Sequence, residues 1–294
     1  MFRIGIIGSE NSHAMAFAKI FNGFDPNCET KYDDIRVVAV GGHYPEESQK
    51  VFDACKLDFI AEKPEDMLGK VDAVMVTARN GQFHPEFARP FIEAGIPAFV
   101  DKPFANCGDE ALALARLAKE KKVPLVGGSS TKLVYDVLML RNSFRTQFPD
   151  GICGGNVVAP VNMENEWGGF YFYSAHLAEI SMTIFGYDPK SVIAWKGDKG
   201  VTAVAKYDGY CVSNHFAEGN YSYGASIYGK GKTVSRDIEL SMCYQHECQI
   251  FVDMLRTGKM AHSYEELVWP VYYLNAIKKS YETGVEQAVL RPEV

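Results

Sequence analysis

The segment "GIPAFVDKPFANCGDEALAL", residues 95–114, sets a lysine where it can do chemistry. A short apolar run ends in Asp101-Lys102-Pro103-Phe104, and a polar turn then opens a helical pattern. A lysine at the carboxyl end of a buried parallel strand points into the crevice where such sheets take their ligands. Pro103 has no backbone N–H and restrains both its own φ and the residue before it, so Lys102 is held extended. From there its ammonium can hydrogen-bond to a hydroxyl and stabilise the negative charge that develops as that hydroxyl loses a proton. The competing reading is a solvated lysine after an edge strand.

A second stretch, "RIGIIGSENSHAMAFAKI" at residues 3–20, opens like a dinucleotide-binding turn. In that fingerprint the first glycine makes the tight turn, the second leaves room for a diphosphate, and the third lets the helix pack closely. Gly8 takes the first position, but Glu10 and His13 take the other two. Gly8, Ser9, Asn11 and Ser12 are therefore the expected cofactor contacts, because a helix N-terminus with good capping residues still favours an anion. Glu10 brings negative charge to the same place. At the end of the second strand, where an acid holding ribose hydroxyls is expected, the chain has Gly41, Gly42 and His43. His43 becomes the candidate contact to the adenosine side, and NAD and NADP both stay open.

These residues need a scaffold. Apolar runs at "FRIGIIG", "IRVVAV", "VDAVMVTA", "PAFVD" and "VPLVGG" alternate with helical patterns over residues 1–128, which predicts a parallel, doubly wound sheet. Beyond Ser129 the pattern changes. Helices are expected at about 131–148 and 171–185, then several alternating, aromatic strands, then two closing helices at 243–257 and 263–283 packed on them. The chain thus divides into a Rossmann-type domain, 1–128, and an α+β domain, 129–294, on an open, mostly antiparallel sheet. A cleft between the two is the natural ligand site.

Composition narrows the classes. The 294 residues are 47% hydrophobic and 23% charged, ordinary for a chain with a proper core. A net charge of −7 disfavours nonspecific nucleic-acid binding. No apolar run approaches the roughly 20 residues of a membrane span and no signal peptide is evident, so the expectation is a cytoplasmic protein. The seven cysteines are scattered, which speaks against a disulfide framework. Cys243, His246 and Cys248 lack the further ligands that a structural zinc needs, and no metal is expected.

Taken together, the opening strand–turn–helix, "VDAVMVTARNGQFHPEFARPFIEAGIPAFVDKPFA", "GGFYFYSAHLAEISMTIFG" and the closing "ECQIFVDMLRTGK" resemble the glucose–fructose oxidoreductase/inositol dehydrogenase/MocA (Gfo/Idh/MocA) family along nearly the whole chain. The resemblance implies NAD(P)-linked redox at a carbohydrate or polyol carbon and a homo-oligomer, dimer or tetramer. It makes Lys102 the motif lysine, shared between catalysis and the cofactor. His176 is the histidine that assists proton transfer, and Lys132 a cation beside the substrate. Thr77 and Ala78 line the nicotinamide side, with His84 at the start of the next helix. The chain departs from the family pattern at Phe172, where an aspartate is usual, at Ser174 in place of glycine, and at Arg79 in place of proline. Tyr173 is then a candidate to position substrate.

Three functions follow. The first is an NAD(P)-dependent oxidoreductase on a sugar, polyol or related hydroxy compound. The second is a ligand-binding or regulatory protein that keeps the cleft and does no hydride transfer, motivated by Glu10 and Phe172. The third is redox-neutral chemistry on the same scaffold.

Overall fold

The computed structural model describes residues 1–294. Its first sheet contains β1 (Phe2–Ile7), β2 (Ile35–Gly41), β3 (Phe59–Ala61), β4 (Ala73–Val76), β5 (Ala98–Val100) and β6 (Leu125–Gly127), in the order β3-β2-β1-β4-β5-β6. Every neighbouring pair is parallel. Parallel pairing demands crossovers, and α1 (Ser12–Phe21), α2 (Pro45–Cys55), α3 (His84–Glu93) and α4 (Gly108–Lys121) supply them. The strand order reverses between β1 and β4, so the chain leaves those two strands in opposite directions and opens a crevice at their carboxyl ends. Gly8 and Thr77 are the first residues beyond the two strands.

After a single 3-10 turn (Ser130–Leu133) come α5 (Tyr135–Thr146), β7 (Ile152–Val161) and α6 (Phe170–Phe185). The second sheet adds β8 (Ser191–Gly197), β9 (Gly200–Lys206), β10 (Cys211–Glu218), β11 (Gly224–Gly229), β12 (Lys232–Asp237) and β13 (Gln287–Ala288). Its order is β12-β11-β7-β10-β9-β8-β13, and β7 pairs parallel with β10 while the other pairs are antiparallel. The sheet is therefore mixed. Residues Ser174–Phe185 of α6 are all buried, so this helix is enclosed on every side rather than amphipathic.

One expectation about packing is corrected. Of the closing helices α7 (Cys243–Thr257) and α8 (Tyr264–Thr283), α7 does not lie on the second sheet. Its Cys248, Phe251, Val252 and Met254 join the core formed by α1 and the first sheet, with Phe251 edge-on to Phe99 at 6.2 Å. α8 bridges both halves, with Leu267 and Val271 in one core and Tyr273 and Ile277 in the other. No helix is long and apolar enough to cross a membrane.

Candidate active site

β5 delivers Asp101 and Lys102 into the interior at its carboxyl end. Asp101 is fully buried, and its carboxylate accepts from Asn11 Nδ2 at 3.2 Å, His13 Nδ1 at 2.6 Å and the Lys102 backbone N–H at 2.7 Å. Burial pushes this carboxyl up, but His13 pulls harder and holds it below the usual carboxylate range. The peptide bond from Lys102 to Pro103 is cis. The Lys102 side chain crosses to α6, where Nζ donates to the Phe172 carbonyl at 3.2 Å and stands 4.1 Å from the centre of the Phe172 ring. The Tyr173 ring lies farther off, at 5.8 Å. Burial pushes the ammonium's pKa down, against the pull of Asp101 and Glu247. The lysine is thus buried, cationic beside an aromatic face, and readier than a surface lysine to give up a proton.

One turn along α6 stands His176. Its Nδ1 is 2.7 Å from Ser129 Oγ, which is 2.7 Å from Thr131 Oγ1, which donates to the His176 carbonyl at 3.4 Å. The carbonyl can only accept, so the proton order runs backward from it. Thr131 gives its proton to that carbonyl, Ser129 gives its own to Thr131, and His176 Nδ1–H donates to Ser129. Nε2 therefore carries a bare lone pair, has no protein partner and is open to solvent. Burial, and then the charges of Lys102 and His13, set the ring well below its ordinary pKa. The result is a neutral imidazole aimed outward as a proton acceptor. Ser129 is a positioning residue for that tautomer. Ser129→Ala should lower turnover about 10-fold, the scale of one lost hydrogen bond, while Ser129→Thr restores it. Ring 15N shifts of His176 report whether the tautomer has changed.

Beneath these groups lies a buried ion pair. Lys132 Nζ reaches Glu179 Oε2 at 2.6 Å and the Gly127 carbonyl at 2.8 Å, while Glu179 Oε1 accepts the Ser129 N–H at 2.6 Å. Gly128 makes this possible: at φ +76°, a Cβ there would lie 2.4 Å from Glu179 Oε1 and 2.8 Å from Lys132 Nζ. Lys132 was expected beside the substrate, but it is 1% exposed and its ammonium is engaged on Glu179. It supports the Ser129 backbone, which in turn holds His176.

The other expected residues are spread along the crevice. Tyr173 is half-buried, 6.1 Å from the His176 ring, with a hydroxyl free of protein partners. Thr77 donates to the Gly8 carbonyl at 3.0 Å, joining the ends of β4 and β1, and Ala78 is buried beside it. His84 faces the carbonyls of Pro103 and Ala78, each at 2.7 Å, and ties the two strand-end loops together. Burial holds its pKa low, so the neutral ring donates to one carbonyl at a time. His43 is exposed, with edge contacts to Phe83 and Phe87, both at 4.8 Å.

At the opening turn, Gly8 has φ +101° and a Cβ there would lie 2.1 Å from the Ala78 nitrogen, so only glycine closes this turn. α1 begins directly after, with Asn11 as its N-cap accepting from the His13 N–H at 3.3 Å. Ser9 Oγ pairs with Ser48 Oγ at 2.8 Å. Turn, helix end and crevice fit a dinucleotide. The Glu10 side chain is the exception: Oε1 accepts the Arg79 N–H at 2.9 Å, and Oε2 is buried without a partner. A diphosphate at this helix end requires that carboxylate to turn aside. Trp167, from the loop before α6, packs on the Arg79 guanidinium at 4.9 Å and edge-on to Tyr44 at 5.8 Å.

A family model described as "Oxidoreductase family, NAD-binding Rossmann fold" matches residues 2–128, the stretch that builds this sheet and turn. Over these residues the chain matches the NAD-binding domain of the Gfo/Idh/MocA family. That family's NAD-binding fold accounts for the crevice between β1 and β4. Solved structures extend the likeness to the whole fold. Scyllo-inositol dehydrogenase from Lactobacillus casei, with bound NAD(H) and scyllo-inositol, superposes with a TM-score of 0.82 at 14% identity, over 98% of this chain and 99% of that one. Myo-inositol 2-dehydrogenase from Lactobacillus plantarum gives 0.83 at 14%, over 98% and 99%. GenD2 from gentamicin A biosynthesis, in complex with NAD, gives 0.84 at 15%, over 98% and 96%. No curated protein sequence is a significant match.

Within this cleft, several residues have contacts that their positions in the sequence do not signal. Asp101 and His13 form a buried pair 88 residues apart, and Ser129 meets His176 across 47. Glu247 enters from α7, 1% exposed, with Oε2 unpartnered. Burial, and then the nearby Asp101, push its carboxyl well above the ordinary range. No group of three His, Cys, Asp or Glu side chains is placed to hold a metal ion, and all seven cysteines are free.

Proposed function

We propose that the protein is an NAD-dependent oxidoreductase acting on a secondary hydroxyl of a sugar, polyol or related hydroxy compound. The observation that carries this reading is the directed hydrogen-bond chain that leaves His176 Nε2 bare, on the same helix that receives the Lys102 ammonium. The bound nicotinamide supplies the hydride acceptor, and the residues to hold the cofactor are Gly8, Ser9, Asn11 and Ser12 at the diphosphate and Thr77 and Ala78 toward the ring. His176 Nε2 takes the proton of the substrate hydroxyl. Ser129 keeps the opposite nitrogen protonated throughout. Lys102 donates to the same oxygen and offsets its charge as the proton leaves. Phe172 stands where the family pattern has an acid, so the imidazole has no carboxylate to stabilise its cationic form and returns its proton readily. The inositol dehydrogenases of the same fold support a polyol as the substrate class.

Initial rates with NAD+ and NADP+ against inositols, aldoses and short hydroxy acids test this directly. Reduction of NAD+ by at least one polyol is expected, and failure across the panel with cofactor bound would remove the reading.

The Glu10 carboxylate supports a second reading, a member of the fold that binds ligand without taking cofactor. Glu10→Gly removes a like charge from the diphosphate position, and it should tighten NADH binding about 10-fold, read by nicotinamide fluorescence. If the wild type binds no NADH at millimolar concentration while Glu10→Gly does, the second reading stands.

A further inference from the structure

A second cavity lies away from the cleft, between α5, the carboxyl-terminal half of α6 and the segment leading into α8. It has a volume of about 400 Å³. Arg141 and Arg145, one turn apart on α5, both line it. Arg3, Arg36, Arg236 and Arg256 are each paired with a carboxylate, whereas these two have no such partner. The carboxyl-terminal dipole of α5 favours a cation at Arg145, but two guanidiniums at this spacing repel each other.

The opposite wall presents His262. Its Nε2 is buried with no hydrogen-bond partner. The nearest carboxylate, Glu266, is 4.0 Å from Nδ1 and already accepts the Ser263 N–H at 2.9 Å in the cap of α8. Burial, and then the positive fields of Lys132 and Arg141, push the His262 pKa down to about 3. Lys132 itself is neutralised by Glu179. Tyr187 adds a hydroxyl, 3.2 Å from that of Thr183. The cavity therefore joins two unpaired guanidiniums, a buried ring nitrogen without a partner and the apolar side chains of Leu138, Phe144 and Met182.

We propose that this cavity binds a small oxyanion, a phosphate or carboxylate on a short carbon skeleton, separately from the cleft holding Lys102 and His176. The guanidiniums meet the anion in charge-assisted bonds, the His262 Nε2–H gives a third, and the apolar side chains take the carbon. An anion there opposes the fields of Lys132 and Arg141, so it raises the His262 pKa.

The test follows the His262 ring signals of the full chain by NMR during titration with inorganic phosphate, then with succinate, at constant ionic strength held by chloride. A saturable shift at millimolar concentration and an upward move of the His262 pKa are expected with at least one probe, and which probe saturates identifies the head group. Arg141→Gln with Arg145→Gln should weaken that binding about 10-fold or more, while Arg36→Gln leaves it unchanged. Should the double variant fail to fold, Arg145→Gln alone, at an exposed position, must still weaken binding. Non-saturating shifts with both probes, or the same curve in the arginine variants, mean an adventitious ion only and overturn the proposal.

Discussion

His176→Gln lowers kcat for polyol oxidation by about 10²–10⁴-fold, the usual contribution of a positioned base, and Lys102→Met falls in the same range. Glutamine fills much of the ring's volume but offers no basic nitrogen. Methionine keeps the lysine's length and its contact with the Phe172 ring while removing the proton donor. Because both residues serve one proton transfer, the double variant should fall little below the worse single one. Nicotinamide fluorescence should show NADH still bound in each. The pH profile carries the sign of the His176 shift. Burial sets the ring well below 6.5, so oxidation is flat above that pH and its acid limb lies on the acid side. Stability follows the same direction. The unfolded chain takes up a proton at His176 before the folded one does, so the contribution is complete above about 6.5 and declines as pH falls toward the folded value. Wild-type rates in both single variants would remove the proton-transfer assignment.

Lys132→Met is expected to cost about 3–5 kcal/mol of stability, more than any other single change considered, because it strands Glu179 without its cation. Burial already lifts the Glu179 carboxyl, and losing Lys132 lifts it further. Folded Glu179 then holds its proton to higher pH than unfolded Glu179, so the variant's deficit grows as pH rises through the folded value. Urea denaturation at several pH values checks both magnitude and slope. Adding Glu179→Gln should recover part of the loss, since a neutral amide has less to lose by burial. A Lys132→Met protein as stable as the wild type would mean that the pair contributes nothing to the fold.

Five of the six parallel strands of the first half were legible because each is a short apolar run; β3, only three residues long, was not expected. The second half was less legible. β7, "ICGGNVVAPV", was not expected as a strand because two glycines and a proline break its alternation. The glycine at 155 is there because a Cβ would lie 2.3 Å from the Phe185 ring. The bounds of α7 could be read from its periodicity, yet the face it offers did not say which core it joins. Lys102 was visible because its position needs only a strand end and a proline. Ser129 and Asp101 were not, since their importance lies in partners far away in sequence. Lys132 shows the limit of transferring a role by position: the cation is there, but a glutamate 47 residues away, in no local pattern, already holds it.

The return of α7 to the first sheet has a mechanical meaning. Phe251 and Met254 are anchored among side chains of the nucleotide half, while Cys243 and Tyr244, at the other end of the same helix, reach the site itself. Swinging the lobes apart like a clamshell would drag this strap out of its seat and wet a large apolar face, at about 25 cal/mol for each Å² exposed. Gross parting of the two lobes is therefore opposed by the seat of this one helix.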